Sequence, residues 1–402
     1  MDPFFLFSLL PFAAGLVIPL WFPFATAFSD ANRHFSAGSK STSVLFGGYD
    51  VAMRGKFWNR ENSKRKNGYS GPVIREARIL ALADKDDPDN IDLYNGELPE
   101  GARLLGVGTR VSDFYIGTFD EPNVLFVSSA TAREPLLELL KKFPTICWIH
   151  SRSAGVDFLI SDFLASSEAL LTNAKGMFSS TLAEYSMMAC SYFAKDLPRL
   201  MRQKDVTAWQ KYNVLELRGA TFGIVGYGDI GRACAKLAKA YDMRVVALRR
   251  HPVKSMSDPY CDKVVGVNQL NELMAESDYI LVAAPLTEAT RGMIGTTQLS
   301  AAKEGAVIIN VGRGPVVDEE ALTAALAPTG KLKGAALDVT AVEPLPQHSL
   351  IWEMENVLLS PHSMDRTATF MRESTIFFIE ENLPRFMRGT ELYNPVDKVA
   401  GY

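Results

Sequence analysis

A chain of 402 residues is long enough for two domains of ordinary size. Its 47% apolar content supplies real cores and excludes a mainly disordered protein. A net charge of −4 gives no global basic field for phosphate backbones, so no nucleic-acid partner is expected. The four cysteines (Cys147, Cys190, Cys234, Cys261) and the five histidines are scattered along the chain. They show neither metal-site spacing nor the density of a disulfide scaffold. No metal is expected, and the thiols read as reduced core residues.

Residues 1–75 read as separate from the folded body. Residues 4–28 are almost wholly apolar and long enough to cross a bilayer, but Pro11, Pro19 and Pro23 interrupt them. Ala25-Thr26-Ala27 has the small-x-small pattern of a signal-peptidase site, and only Asp2 carries charge before the run. Residues 29–75 hold nine Lys or Arg against three Asp or Glu, with many Ser and Gly. That is the make-up of a transit peptide or of a disordered linker. The junction with Phe28 resembles the bipartite presequences of complex plastids, which makes a plastid the expected compartment. The rival readings are a membrane anchor and a mitochondrial or secretory leader. Membrane contact is expected only if this segment is retained. Lys64-Arg65-Lys66 reads as a solvated face rather than a nucleic-acid patch.

Beyond residue 75, short apolar runs at 78–83, 103–107, 123–127 and 146–149 alternate with helical stretches such as 133–142. Strand runs separated by helical periods predict parallel α/β units. A single long helix is predicted over 180–203, and a second strand–helix series starts at Ala220. Two such series imply two domains with a ligand cleft between them.

The second series opens with a buried strand at 220–225, followed at once by Gly226-Tyr227-Gly228-Asp229-Ile230-Gly231 and a helix over 232–241. Strand, glycines and helix fall in the order of a dinucleotide fingerprint. The first Gly permits the tight turn, the second admits the pyrophosphate and the third lets helix and strand pack closely. The helix N-terminus supplies amides and a positive dipole end. An NAD site tends to carry an acid at the end of the next strand, about 20 residues on. Here Arg249-Arg250-His251 follow residues 244–248. An arginine pair suits the 2′-phosphate of NADP, so NADP(H) is expected in preference to NAD(H).

Three later strands each end at a side chain that can do chemistry. Residues 305–311 lead to Arg313, residues 334–337 to Asp338 with Glu343-Pro344 beyond, and residues 357–360 to Pro361-His362. Ligands of open parallel sheets bind outside the carboxyl ends of the strands, so Arg313, Glu343 and His362 are expected to converge beside a nicotinamide. Hydride addition to a ketone needs a proton donor, which suits His362. Glu343 would orient that ring. Arg313 would grip a carboxylate in a forked pair and so select 2-oxo acids over plain ketones.

The ordered motifs identify a resemblance to the D-isomer-specific 2-hydroxyacid dehydrogenases. They are Ser153-Ala154-Gly155-Val156-Asp157, Asn173-Ala174-Lys175-Gly176, the fingerprint, Pro285-Leu286-Thr287, Asn310-Val311-Gly312-Arg313-Gly314, Asp338-Val339, Glu343-Pro344 and Ser360-Pro361-His362. The resemblance runs from about residue 78 to 394, and Trp148 to Gly155 look most like the glyoxylate and hydroxypyruvate reductase branch. It implies an α/β fold of two Rossmann-like or flavodoxin-like domains with parallel sheets. The cofactor domain, 196–366, would be inserted into a discontinuous substrate domain, 76–195 plus 367–402, to which a helix at about 367–388 returns. It implies Arg313, Glu343 and His362 as the catalytic trio, with backbone amides near Ala154 and Gly155 holding the substrate carboxylate. Asp338 would meet the nicotinamide carboxamide and Pro285 would line the cofactor path. A small 2-oxo or 2-hydroxy acid would be the partner molecule, and a homodimer the assembly. After His362 the family usually has small residues, whereas this chain has Ser363-Met364-Asp365-Arg366, which either alters the pocket rim or forms a surface pair. The alternatives are a dinucleotide-sensing scaffold, like the family's transcriptional corepressors, and an NAD-dependent dehydrogenase of another substrate.

Overall fold

The computed structural model describes residues 76–95, 98–115, 120–129 and 131–402. The expectations of a leader, an anchor or a linker fall on residues 1–75 and lie outside the described residues. Among the described residues, no helix is long and apolar enough to cross a membrane.

Two parallel sheets organise the chain. The first has five strands: β1 (Ala77–Leu82), β2 (Ala102–Gly108), β3 (Val124–Val127), β4 (Trp148–Ser151) and β5 (Leu170–Asn173). Their spatial order is β2-β1-β3-β4-β5, the flavodoxin-like arrangement. The second has seven strands: β6 (Thr221–Val225), β7 (Arg244–Leu248), β8 (Lys263–Val265), β9 (Tyr279–Val282), β10 (Val307–Asn310), β11 (Gly334–Leu337) and β12 (Val357–Leu359). Its order β12-β11-β10-β9-β6-β7-β8 is the doubly wound arrangement with a switch point between β6 and β9.

The strand sequences explain this choice. β6, β9, β10 and β11 read TFGIV, YILV, VIIN and GAAL and are buried at every position. Continuous apolar runs of this kind suit a parallel sheet covered by helices on both faces. The helices Ser179–Lys195 and Asp229–Ala240 cover one face through Cys190, Phe193, Cys234 and Ala238. The first sheet buries Ala77, Ile79, Phe126 and Trp148 against Phe378, Leu383 and Phe386 near the end of the chain. The chain therefore leaves the first lobe, builds the second, and returns. Each fully buried aromatic ring of this kind contributes about 2–3 kcal/mol through area removed from water.

Three local expectations are corrected. The helix predicted over 180–203 is two helices, Ser179–Lys195 and Leu197–Asp205, broken at Asp196 with φ 51°. Pro198 cannot continue the hydrogen-bond ladder and falls in the first turn of the second segment. The helix predicted over 367–388 is helix Phe370–Phe377, a π turn Phe378–Asn382 and helix Leu383–Met387. Only Cys190 and Cys234 are fully buried thiols, whereas Cys147 and Cys261 are half-buried.

Candidate active site

The predicted site residues fall on loops that leave the carboxyl ends of strands from both sheets. At the head of β6, Gly226 turns the chain with φ +102°, a left-handed value that favours glycine. A methyl built there would lie 2.5 Å from the Ala284 nitrogen, so this turn is packed against the loop after β9. Gly228 is the opposite case. A methyl on Gly228 would meet nothing within 4 Å. Gly228 also caps helix Asp229–Ala240 without any side-chain hydrogen bond. The first-turn amides and the open space above Gly228 fit a pyrophosphate. Ile230 is half-buried and Gly231 buried in the same turn. Tyr227 contributes backbone only: its side chain is 3% exposed and packs in the core, where burial pushes its hydroxyl pKa far up.

At the end of β7 the arginines are already engaged. Nη1 of Arg249 donates to Oγ of Ser255, and the Arg250 guanidinium sits 5.0 Å from the centre of the Tyr402 ring. Pro285 is exposed in the loop after β9, where its carbonyl accepts a 2.6 Å bond from Thr290 Oγ1.

Asp338, 2% exposed, ends β11. Its Oδ1 accepts from Ser360 Oγ at 2.8 Å and from the amides of Ser363 and Met364 at 2.9 and 3.2 Å. The His362 amide donates to the Asp338 carbonyl at 2.8 Å. This set pins the loop that carries His362, whose backbone takes φ +50°. The imidazole Nδ1 lies 2.8 Å from Oε2 of Glu343, and Oε1 of Glu343 accepts from the Thr340 amide at 3.1 Å. Both His362 and Glu343 are exposed, so the pair faces open space.

Arg313 is held just as closely. Asn310 braces its turn, accepting from the Gly312 amide at 3.1 Å and donating to the Arg313 carbonyl at 3.2 Å. Nη1 donates to the Gly312 carbonyl at 2.9 Å, and Nε donates to Oδ1 of Asp157 at 3.0 Å. A methyl on Gly155 would sit 1.5 Å from Arg313 Nη2, so only glycine lets the guanidinium cross this loop. Asn173 Nδ2 donates to the Ala154 carbonyl at 2.6 Å and shapes the same loop. The structure thus joins Arg313 to the loop of Gly155 and Asp157, and His362 to Glu343. Asp157 was not singled out as a site residue by sequence, although it stands in a quoted motif. A carboxylate two residues after a glycine-bearing loop was the available signal.

Asp365 and Arg366 form no ion pair among the described residues. Asp365 is instead half-buried near His362: burial raises its carboxyl above the usual range, and the neighbouring His362 opposes that shift.

Comparison with known proteins settles the class. Residues 185–363 match the model for the NAD-binding domain of D-isomer-specific 2-hydroxyacid dehydrogenases. A glyoxylate reductase of Korarchaeum cryptofilum is 30% identical over 328 residues, which is 79% of this chain and 92% of that protein. The chain belongs to the D-isomer-specific 2-hydroxyacid dehydrogenase family. A glyoxylate/hydroxypyruvate reductase B of Cronobacter sakazakii is 33% identical over 270 residues, 65% of this chain and 80% of that protein. Among solved structures, a D-isomer-specific 2-hydroxyacid dehydrogenase of Xanthobacter autotrophicus in complex with NADPH and MES is 28% identical, with a TM-score of 0.71. It covers 81% of this chain, which covers 100% of it. This dehydrogenase is therefore an NAD(P)-dependent oxidoreductase acting on CH–OH groups.

Proposed function

We propose that the chain reduces a small 2-oxo acid of the glyoxylate and hydroxypyruvate class with NADP(H). The observation that carries this is the His362–Glu343 contact of 2.8 Å, with Arg313, held over Gly155, after β10, the strand that neighbours β11. The dinucleotide supplies a hydride when bound. His362 is the catalytic acid: with Nδ1 engaged by Glu343, Nε2 is the nitrogen left to give a proton to the substrate oxygen. Glu343 is a positioning residue that orients the ring through its contact with Nδ1. Arg313 binds the substrate carboxylate together with the amides near Ala154 and Gly155. Arg249 and Arg250 favour the 2′-phosphate of NADP(H), and Asp338 and Pro285 flank the nicotinamide.

The same proposal takes 76–195 with 367–402 as the substrate domain and 196–366 as the cofactor domain, with residues 1–75 as a leader for an organelle, plastid first. A homodimer is supported by the exposed apolar side chains Met201, Val206 and Trp209, at 63%, 70% and 95% exposure.

The test removes residues 1–75 and follows cofactor absorbance with glyoxylate, hydroxypyruvate and pyruvate, first with NADPH and then with NADH. Rapid NADPH oxidation with one of them, lost in His362→Ala with cofactor binding intact, is the expected result. No turnover with any pair would overturn the substrate class. Wild-type turnover in His362→Ala would remove it as the acid. Arg249→Ala with Arg250→Ala should raise the KM for NADPH far more than for NADH.

A further inference from the structure

A long side chain from the first lobe reaches the dinucleotide turn. Lys175, in the loop after β5, places Nζ 3.3 Å from Oδ2 of Asp229. Asp229 is the first residue of helix Asp229–Ala240, directly after Gly228 and its open space. The backbone of Lys175 is fixed: its amide donates to Asn173 Oδ1 at 3.3 Å, and its carbonyl accepts from Asn394 Nδ2 at 2.8 Å. An anchored loop thus aims a half-exposed ammonium at the phosphate turn. A carboxylate in that turn is electrostatically awkward, because the ligand brings further negative charge to the same place.

We propose that Lys175 binds the pyrophosphate of the dinucleotide from the lobe opposite the fingerprint, with Asp229 holding its ammonium at the turn before the ligand arrives. This role rests on the dinucleotide site described above. The side chains of the pair are 42% and 25% exposed, so water screens their attraction and a change of partner is cheap. An ammonium has three donors and can serve a phosphate oxygen while still touching Asp229. Pyrophosphate is common to NADPH and NADH, so Lys175 acts on both cofactors alike, in contrast to the arginines after β7.

The experiment titrates the full chain with NADPH and with NADH, following protein fluorescence, for the wild type, Lys175→Met, Lys175→Arg and Asp229→Asn. Lys175→Met should raise both Kd values by about tenfold, the loss of one charge-assisted hydrogen bond. Lys175→Arg should restore most of the affinity. Asp229→Asn should move the other way and lower both Kd values, since it removes a competing negative charge. If Lys175→Met and Asp229→Asn weaken binding equally, the pair is only a brace between the lobes and the proposal falls. An unchanged Kd in Lys175→Met overturns it as well. A wild-type chain that binds neither cofactor overturns the dinucleotide site itself, an outcome distinct from failure of the lysine alone.

Discussion

Oδ1 of Asp157 lies 3.0 Å from Nε of Arg313, joining the loop after β4 to the turn after β10. The contact leaves Nη2 beside Gly155 and sets the plane of the guanidinium. Asp157→Asn should let the fork swing away from a substrate carboxylate. The KM for the 2-oxo acid should then rise by about tenfold, with a smaller change in kcat. Steady-state kinetics at saturating cofactor would show this, and an unchanged KM would reduce Asp157 to a packing role.

Glu343 serves two donors at once, the Thr340 amide and the His362 ring. In Glu343→Gln the single carbonyl oxygen goes to one of them. If Thr340 keeps it, an NH₂ group faces Nδ1 and forces the wrong tautomer on the ring. We predict a fall in kcat of about 10²-fold or more with the Kd for cofactor retained. Single-turnover rates measured beside cofactor titration separate the two quantities; a kcat within twofold of wild type would show that the ring needs no charged partner.

The two glycines at the head of β6 should respond in opposite ways. Gly228→Ala meets open space, so its melting temperature should match the wild type while affinity for the dinucleotide drops. Gly226→Ala combines φ +102° with a methyl 2.5 Å from the Ala284 nitrogen, so it should lower stability by about 2 kcal/mol or more. Thermal melts with and without cofactor read both effects. Equal destabilisation by the two variants would mean that the space above Gly228 is structural rather than reserved for ligand.

His150 predicts an acid limit on stability. It is fully buried between Trp148 and Phe378, with Nδ1 2.8 Å from Thr172 Oγ1, and burial lowers its pKa from 6.5 to about 3. Below pH 6.5 the unfolded chain takes up a proton that the folded chain refuses until about pH 3. Stability present above the unfolded value is thus lost as pH falls through that window, by about 1.4 kcal/mol per pH unit at most. His150→Asn keeps a polar group near Thr172 but cannot titrate. Its melting temperature should therefore depend less steeply on pH between about 4.5 and 6.5 than that of the wild type. Parallel curves would show that other groups set the acid limit.

Much of the fold was legible in the sequence because its signals are local. A strand buried on both faces must be a continuous apolar run, and a pyrophosphate turn must place its glycines at set spacings, so β11 could be read residue by residue, β6 to within one residue and β10 to within two. The helix break at Asp196 was missed: the amphipathic pattern runs through it, and Pro198 was the only signal. The strands β5, β8 and β9 were missed as well, and length was not the cause, since β4 and β12 are just as short and were read.

Amino-acid order by itself determined the class of the chain and the dinucleotide turn, and it singled out Arg313, Glu343 and His362 as candidates. Tertiary structure alone decided who holds them. It set Asp157 against Arg313, 156 positions away in the chain, aimed Lys175 at Asp229, stacked Tyr402 on Arg250 and buried the Tyr227 side chain in the core. A strand or a glycine turn is specified by its own few residues, through backbone sterics and burial. A pair that meets across a cleft is specified by how two sheets and their loops pack, and no spacing along the chain records that distance.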